Sequence, residues 1–437
     1  MVLTPLSFKT ALHRGLGRAV IHLRDHASDA LQPIVLEALL HNTRIDPQCE
    51  GTGTTYLLEV AEHAGLRPQL ARLLNTRVHD QLAAGHRDTW DAGQLVDLLG
   101  ALGEEGEERA AQALEHLLPE AVQSEDRFLE ALTYSLIRAR EEAGLRLVLQ
   151  HIGGALESGT VYRHPDFVLW QVEQLFGPEM MQALPHWGED DPRIATYFKR
   201  VAQHQHAPRQ SLDVPESLEY DALLERMARE PRRIGLFTIK ATDEAVRHLA
   251  QDLIGEDRPL TLQTVLEFFN RRAFPLNADP LLVLTGHRDT EIVGLALGAL
   301  RHVVHPGLRS LALTLLQART HVTAAATLLR GRVEVDDAEL LWQVMMDLEM
   351  AGDEPELHRF VAVFAALAEA QPSTALYTLL ARSFEHQPCS VCRKDVVRVL
   401  LDAGAFPKRL EEEVRLDVNE DLRDLISQNL KVNSQEH

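Results

Sequence analysis

Residues 289–316 carry the same helical stripe twice in succession, and neither copy can bury its apolar face alone. In the first, Ile292, Leu295, Ala296, Ala299, Leu300 and Val303 recur at i, i+3, i+4, i+7, i+8 and i+11, one side of an α-helix. Asp289 stands at the N-cap position, where its carboxylate takes a backbone N–H that has no partner within the helix. His305-Pro306-Gly307 breaks the pattern, and Leu308, Leu311, Ala312, Leu315 and Leu316 then repeat it. A pair of such helices turned back on each other leaves apolar surface uncovered. The pattern therefore demands stacked neighbours and predicts a helical solenoid, a fold that works through its surface.

The stripes run nearly end to end. Leu95, Leu98 and Leu99 mark one helix and Leu114, Leu117 and Leu118 the next, with Gly103 and Gly106 in the acidic turn between them. Leu129, Leu132, Leu136 and Ile137 lead to a break at Gly144, after which Leu145, Val148 and Leu149 resume. Further stripes hold Val246, Leu249, Ala250 and Leu253, then Leu262, Val265, Leu266 and Phe269, then Leu357, Phe360, Val361, Phe364 and Leu367. Leu422, Leu425, Ile426 and Leu430 close the series. Breakers at Gly85, Gly177-Pro178, Gly255, Pro275 and Pro372 fall at helix-length spacing. Aromatic residues are only 5% while Leu and Ala dominate, which favours helix over sheet. Leu236–Ile239 is the one run with strand character, too short to outweigh its helical neighbours. The expected fold is all-α, an α-α superhelix. Residues 203–217 are polar, hold two prolines and interrupt the periodicity. The expected division is an irregular helical array over 1–203, a linker or surface loop over 204–217, and a repeat array over 218–437.

The formal charge of −21 sets up a field that repels a phosphate backbone, so nucleic acid is disfavoured as a partner. The most basic stretch, Arg226–Arg233, has Glu225 and Glu230 beside it and reads as a solvated helix end. A basic or mixed-charge protein partner fits the charge. Three cysteines do not make a disulfide framework. No apolar run approaches the ~18 residues of a membrane span, and Met1–Leu6 lacks a signal peptide's charged start and apolar core. The expected location is the cytoplasm, with no membrane partner.

Three segments, Thr242–Arg247, Asp289–Val293 and Asn419–Arg423, share an order: a capping residue, acidic residues, then an apolar residue followed by Arg or Val. In this they resemble HEAT repeats. The chain as a whole is similar to bacterial HEAT-repeat (armadillo-like) proteins of no assigned activity, through the strings Asp46-Pro-Gln-Cys-Glu-Gly51, Arg271-Arg-Ala-Phe-Pro275 and Pro388-Cys-Ser-Val-Cys-Arg393. The resemblance covers part of the C-terminal half, and the N-terminal half departs from it in helix lengths and caps. It implies an extended scaffold that binds proteins or peptides along a concave surface, with Asp46, Gln48, Cys49, Glu50, Arg271 and Arg272 as candidate binding residues.

Two clusters carry chemistry-bearing side chains. His386, Cys389 and Cys392 have an H-x2-C-x2-C spacing that would suit zinc, the only cofactor the chain points to, or a redox pair. The same thiols also fall on one stripe with Val396, Val399, Leu400 and Ala403, and the alternative reading is that both are small core residues. Around Cys49, the loop Asp46–Gly53 gathers two carboxylates, an amide and a thiol; a thiol nucleophile there would need His41 or His63 as its base. The loop reads first as a helix-capping loop and second as a binding loop. His204 and His206 read as surface residues, and Trp90, Trp170, Trp187 and Trp342 as buried anchors. The acidic stretch from Glu411 to Asp424 reads first as a solvated face that caps the array and second as a docking surface for a basic partner.

The leading expectation is a non-enzymatic scaffold or adaptor for a protein partner, with no catalytic residues. HEAT-like repeats also form DNA glycosylases and bilin-attaching lyases. A glycosylase would need a basic groove and a lyase would need an exposed Cys389 or Cys49. A regulator built on the CxxC pair would need both thiols outside the core.

Overall fold

The computed structural model describes residues 2–86, 89–123, 127–205, 215–254 and 260–435. Their regular structure is helical, with one isolated β-bridge between Leu218 and Ala241 and no strand among them. The all-α expectation holds, and the packing is consistent with a helical solenoid. No helix among the described residues is long and apolar enough to cross a membrane. The chain forms two compact units. One holds residues 1–209, 388–394 and 407–437, and the other holds 210–387 and 395–406. Residues 206–214, most of the expected linker, lie outside the described residues, as do His206 and the breaker Gly255.

The first unit is organised around the helix Trp90–Glu104, which packs against Gln32–Leu40, Thr54–His63, Arg67–Ala83, Glu108–Ala121 and Arg127–Glu157. Leu95, Val96, Leu98, Leu99 and Leu102 are buried in it. Buried Gln94 donates from Nε2 to the carbonyls of Ala38 and Leu39 at 2.9 and 3.1 Å. It thereby satisfies acceptors that the end of Gln32–Leu40 leaves open. Gly103 belongs to this helix and not to the turn after it; a Cβ there would lie 2.7 Å from Ala139 Cβ, so the glycine permits a close helix crossing. In the segment Arg127–Glu157 the break falls at Glu141, with φ 50°, three residues before the expected site at Gly144. Gly144 has a different task, because a Cβ there would lie 2.5 Å from the Leu136 carbonyl oxygen.

The C-terminal segment is built into this same unit. The helix Glu411–Arg415 packs on Gly17–His26, and the Val418 amide donates to the Gly15 carbonyl at 2.9 Å. Glu413 is buried and takes two bonds from Arg18, at 2.6 and 2.8 Å. Asp417, also buried, faces Arg393. The acidic stretch is therefore not simply a solvated face, because two of its carboxylates are interior ion-pair members.

In the second unit, helices beginning at Ile234, Leu262, Thr290, Val322 and Glu354 pack successively on one another. That is a recurrence of roughly thirty residues, within the range of helical repeats. Leu308–Ala318, Asp337–Ala351 and Thr374–Ser383 form a second succession. Thr290–Leu300 and Leu308–Ala318 thus find their main partners in neighbouring turns and not in each other, because their stripes face different neighbours. Leu236–Ile239 lies within the helix Ile234–Lys240. Thr242, Asp289 and Asn419 each cap the helix that follows, accepting from Ala245, Glu291 and Leu422. Arg226 and Arg233 pair with Glu230 and Arg229 pairs with Glu225, so two carboxylates offset half of the basic run locally.

The tryptophans are not buried anchors. Trp90, Trp187 and Trp342 are half-buried, each under a guanidinium, from Arg127, Arg146 and Arg382 at 4.5, 3.8 and 3.7 Å from the ring centroid. A cation over the ring face substitutes for apolar cover. Trp170 is 60% exposed.

Candidate functional site

The loop Asp46–Gly53 is shaped by the caps its own sequence supplies. Asp46 accepts the Cys49 amide at 3.4 Å, and Pro47 opens the single-turn helix Pro47–Glu50. Glu50 Oε1 takes the Asp46 amide at 3.0 Å, while Oε2 takes the Ser390 amide at 2.7 Å, at the start of the helix Ser390–Asp402. A carboxylate there complements the N–H groups of a helix N-terminus. Gly51 and Gly53 have φ of 68° and 66°, left-handed values that favour glycine. A Cβ on Gly53 would lie 2.4 Å from Val418 Cγ2, so the glycine lets the loop rest directly on the C-terminal segment.

Beside this loop lies an open cleft of about 470 Å³ within the first unit. The loop from Cys49 to Thr55 forms one wall, and Lys394, Asn419, Glu420 and Asp421 form another. Asp97, Tyr134 and Arg138, from the packed pair Trp90–Glu104 and Arg127–Glu157, complete it. Charges of both signs line it: Lys394 Nζ meets Asp421 at 2.6 Å along one wall, and the Thr55 hydroxyl donates across the cleft to Glu420 at 2.6 Å. Arg138 binds Glu104, and its guanidinium lies 5.9 Å from the Tyr134 ring centroid.

Asp97 is the perturbed group of the cleft. Burial pushes its pKa up to about 6, against hydrogen bonds from Thr52 at 2.9 Å and Ser135 at 3.3 Å and the nearby charge of Arg138. Its folded pKa lies above the unfolded value of 3.8, so folding favours the protonated acid. Stability therefore declines as pH rises from the unfolded value through the folded one, and the ionised carboxylate is a standing penalty above it. Asp97→Asn keeps a partner for each hydroxyl and removes the charge. The full shift converts to about 3 kcal/mol, and partial exposure to cleft water reduces that to about 1–2 kcal/mol. Urea unfolding across pH is expected to show this gain at pH 7 and its disappearance near pH 4. A variant no more stable than the parent at pH 7 would show that the carboxylate is well solvated.

Cys49 is exposed, and its hydrogen bond with Asp46, followed by that residue's charge, pushes the thiol pKa up. This environment holds it as a neutral thiol, the opposite of what a nucleophile requires. His41 does not serve it: His41 Nδ1 pairs with Asp91 at 2.9 Å and its Nε2 faces Arg77 at 3.5 Å. Gln48 is exposed at the loop tip. The structure thus unites Cys49 and Glu50 with Asp97, Tyr134, Arg138 and Lys394, none of which the sequence singled out.

The remaining candidates lie elsewhere. Arg272, in the second unit, donates to the carbonyls of Thr238 and Ala241 at 2.6 and 2.8 Å and to Asp243 at 2.7 Å. Those bonds close the end of Ile234–Lys240, which is a structural task. Arg271 lies over Gly235 and is exposed. His386, also in the second unit, binds Glu349 through Nδ1 and meets the Trp342 ring edge-on with centroids 5.3 Å apart. Cys389 is buried and Cys392 half-buried. No family model, curated protein or solved structure matches the chain.

Proposed function

We propose that the protein is a HEAT-like helical-repeat scaffold that binds a polypeptide of mixed charge, with the cleft beside Cys49–Thr55 as its anchor point. The carrying observation is the cleft's lining, which gathers cationic, anionic and hydroxyl side chains together with the Tyr134 ring. An open site with paired charges of both signs suits a ligand that exchanges ion pairs with it, and such exchange gives specificity and orientation. The recurrence of helices at roughly thirty residues and the three capped segments support the repeat reading. Cytoplasmic adaptor work is the setting in which such a surface would operate.

An acid–base enzyme on the same frame has one observation in its favour, the near-neutral Asp97 in an open cleft. Binding and catalysis separate in one experiment. The intact protein and an Arg138→Glu/Lys394→Glu variant are used as baits in the source cell extract. The scaffold reading expects the variant to lose, by tenfold or more, a partner the parent retains, while Asp97→Asn retains it. Recovery of the same proteins by parent and charge-reversed baits would end the assignment of this cleft.

A further inference from the structure

The turn before the helix Phe167–Ala183 and the end of the helix Pro192–Gln205 bring together a pair of side chains two residues apart and a third about 40 residues further on. We infer that His164, Asp166 and His204 form a binding site for a zinc-class divalent transition metal. Their ligand atoms all lie within 4.8 Å of one another. The two imidazoles meet edge to face with ring centroids 5.8 Å apart. Local backbone explains the placement: the Phe167 amide donates to the His164 carbonyl at 3.1 Å and closes the turn. Asp166 occupies the N-cap position but makes no side-chain capping bond to its own helix, so its carboxylate is available to another ligand.

Tetrahedral zinc with bonds of about 2.0–2.1 Å sets its ligands roughly 3.4 Å apart. The cluster reaches that spacing by small side-chain rotations, at one exposed position, His164, and two half-buried ones, Asp166 and His204. Two imidazoles and a carboxylate are donors of intermediate softness, suited to zinc or cobalt and poorly matched to magnesium or calcium, which prefer oxygen ligands. Three protein ligands leave a fourth position for water.

Tyr197 supplies an independent observation. It lies two helical turns before His204 and shares its face of the helix. Its side chain is fully buried, and its hydroxyl has no hydrogen-bond partner among the described residues. Burial, followed by the charge of Asp166, raises its pKa. A buried donor left unpaired costs about 1–3 kcal/mol. Metal-ligating carboxylates are themselves held by a second hydrogen-bond donor, and the Tyr197 hydroxyl is a buried, unpaired donor on which the Asp166 charge acts. The metal would clip the turn at His164 to the end of Pro192–Gln205.

The test uses the full-length protein after chelator treatment, titrated with Zn2+ by calorimetry and with Co2+ by visible absorption. One ion per chain is expected in this site, with a cobalt spectrum of nitrogen and oxygen ligands. His164→Gln, His204→Gln and Asp166→Asn are each expected to weaken Zn2+ binding at least about a hundredfold, with unchanged helical circular dichroism. Absence of Zn2+ binding by the parent would overturn the inference. So would binding that persists in the three variants, or a thiolate charge-transfer band lost in Cys389→Ser/Cys392→Ser, which would place the ion on the cysteines.

Discussion

Replacing Arg393 with methionine is expected to destabilise the protein by about 3–5 kcal/mol, among the largest effects of any single substitution in the chain. Arg393 and Asp417 are both fully buried, joined through Nε at 2.8 Å and through a second nitrogen at 3.0 Å. The guanidinium also donates to the Arg14 carbonyl at 2.8 Å, and the carboxylate accepts the Asn419 amide at 3.0 Å. Removing the cation leaves the interior carboxylate without its hydrogen-bonded counter-charge, with the buried Arg44 guanidinium acting on it only through space, and that residual charge is what makes the loss large. Asp417→Asn is expected to cost a similar amount. The double variant Arg393→Met/Asp417→Asn is expected to be clearly more stable than the two losses added together, since neither charge is then stranded. Urea unfolding of the four proteins measures the coupling, at low and at high salt because a buried pair is little screened. Losses that simply add would mean the two side chains do not act as a pair.

The parts of this fold that the sequence displays are those fixed by neighbours in sequence. Leu95, Leu98 and Leu99 are buried as their spacing requires, and Asp289, Thr242 and Asn419 cap their helices because a cap is a contact over two or three residues. What the sequence hides depends on distant segments. Glu411–Asp424 has the composition of a solvent face, yet Glu413 is interior because Arg18, 395 residues away, neutralises it. Gly144 has the look of a break and is instead a point of close backbone approach, while the break falls on Glu141, a residue with no turn signal. The tryptophan reading failed because arginine stacking, which has no periodicity, covers three of the rings.

For the site, the loop Asp46–Gly53 was readable because its caps and glycines are local. Asp97 was not singled out, although a signal existed: it is a lone carboxylate inside Leu95-Val96-Asp97-Leu98-Leu99, where an apolar run surrounds a charge. Burial of that run is the physical cause of its raised pKa. Tyr134 and Arg138 sit one helical turn apart and offered nothing beyond an ordinary polar edge. His164-x-Asp166 carries ligand-type residues, but their partner His204 is supplied by another helix, and only the packing of Arg127–Glu157 and its neighbours decides which helices meet.

The docking of the C-terminal segment onto Gly17–His26 leads to the second large effect. Gly17→Ala is expected to destabilise the protein by about 3 kcal/mol and to loosen residues 407–430 in hydrogen exchange. A Cβ at this position would lie 2.0 Å from the Glu413 carbonyl oxygen and 2.9 Å from the carbonyl carbons of Glu413 and Leu416. These are backbone atoms, so no rotamer change relieves the overlap, and two packed elements must separate. Separation also strains the Arg18–Glu413 pair and the bond from Val418 to Gly15, which lie on either side. Overpacking of this kind costs about 1–3 kcal/mol by itself, and the adjacent buried ion pair takes the total to the upper end. Helix propensity acts in the opposite direction, since alanine is preferred to glycine by up to about 1 kcal/mol within a helix. Gly93→Ala separates the two contributions, because Gly93 lies in Trp90–Glu104 with nothing within 4 Å of its would-be Cβ. That variant is expected to gain about 0.5–1 kcal/mol. If Gly17→Ala proves as benign as Gly93→Ala, the C-terminal segment does not rest on this helix at backbone distance, and the burial of Glu413 and Asp417 needs another cause.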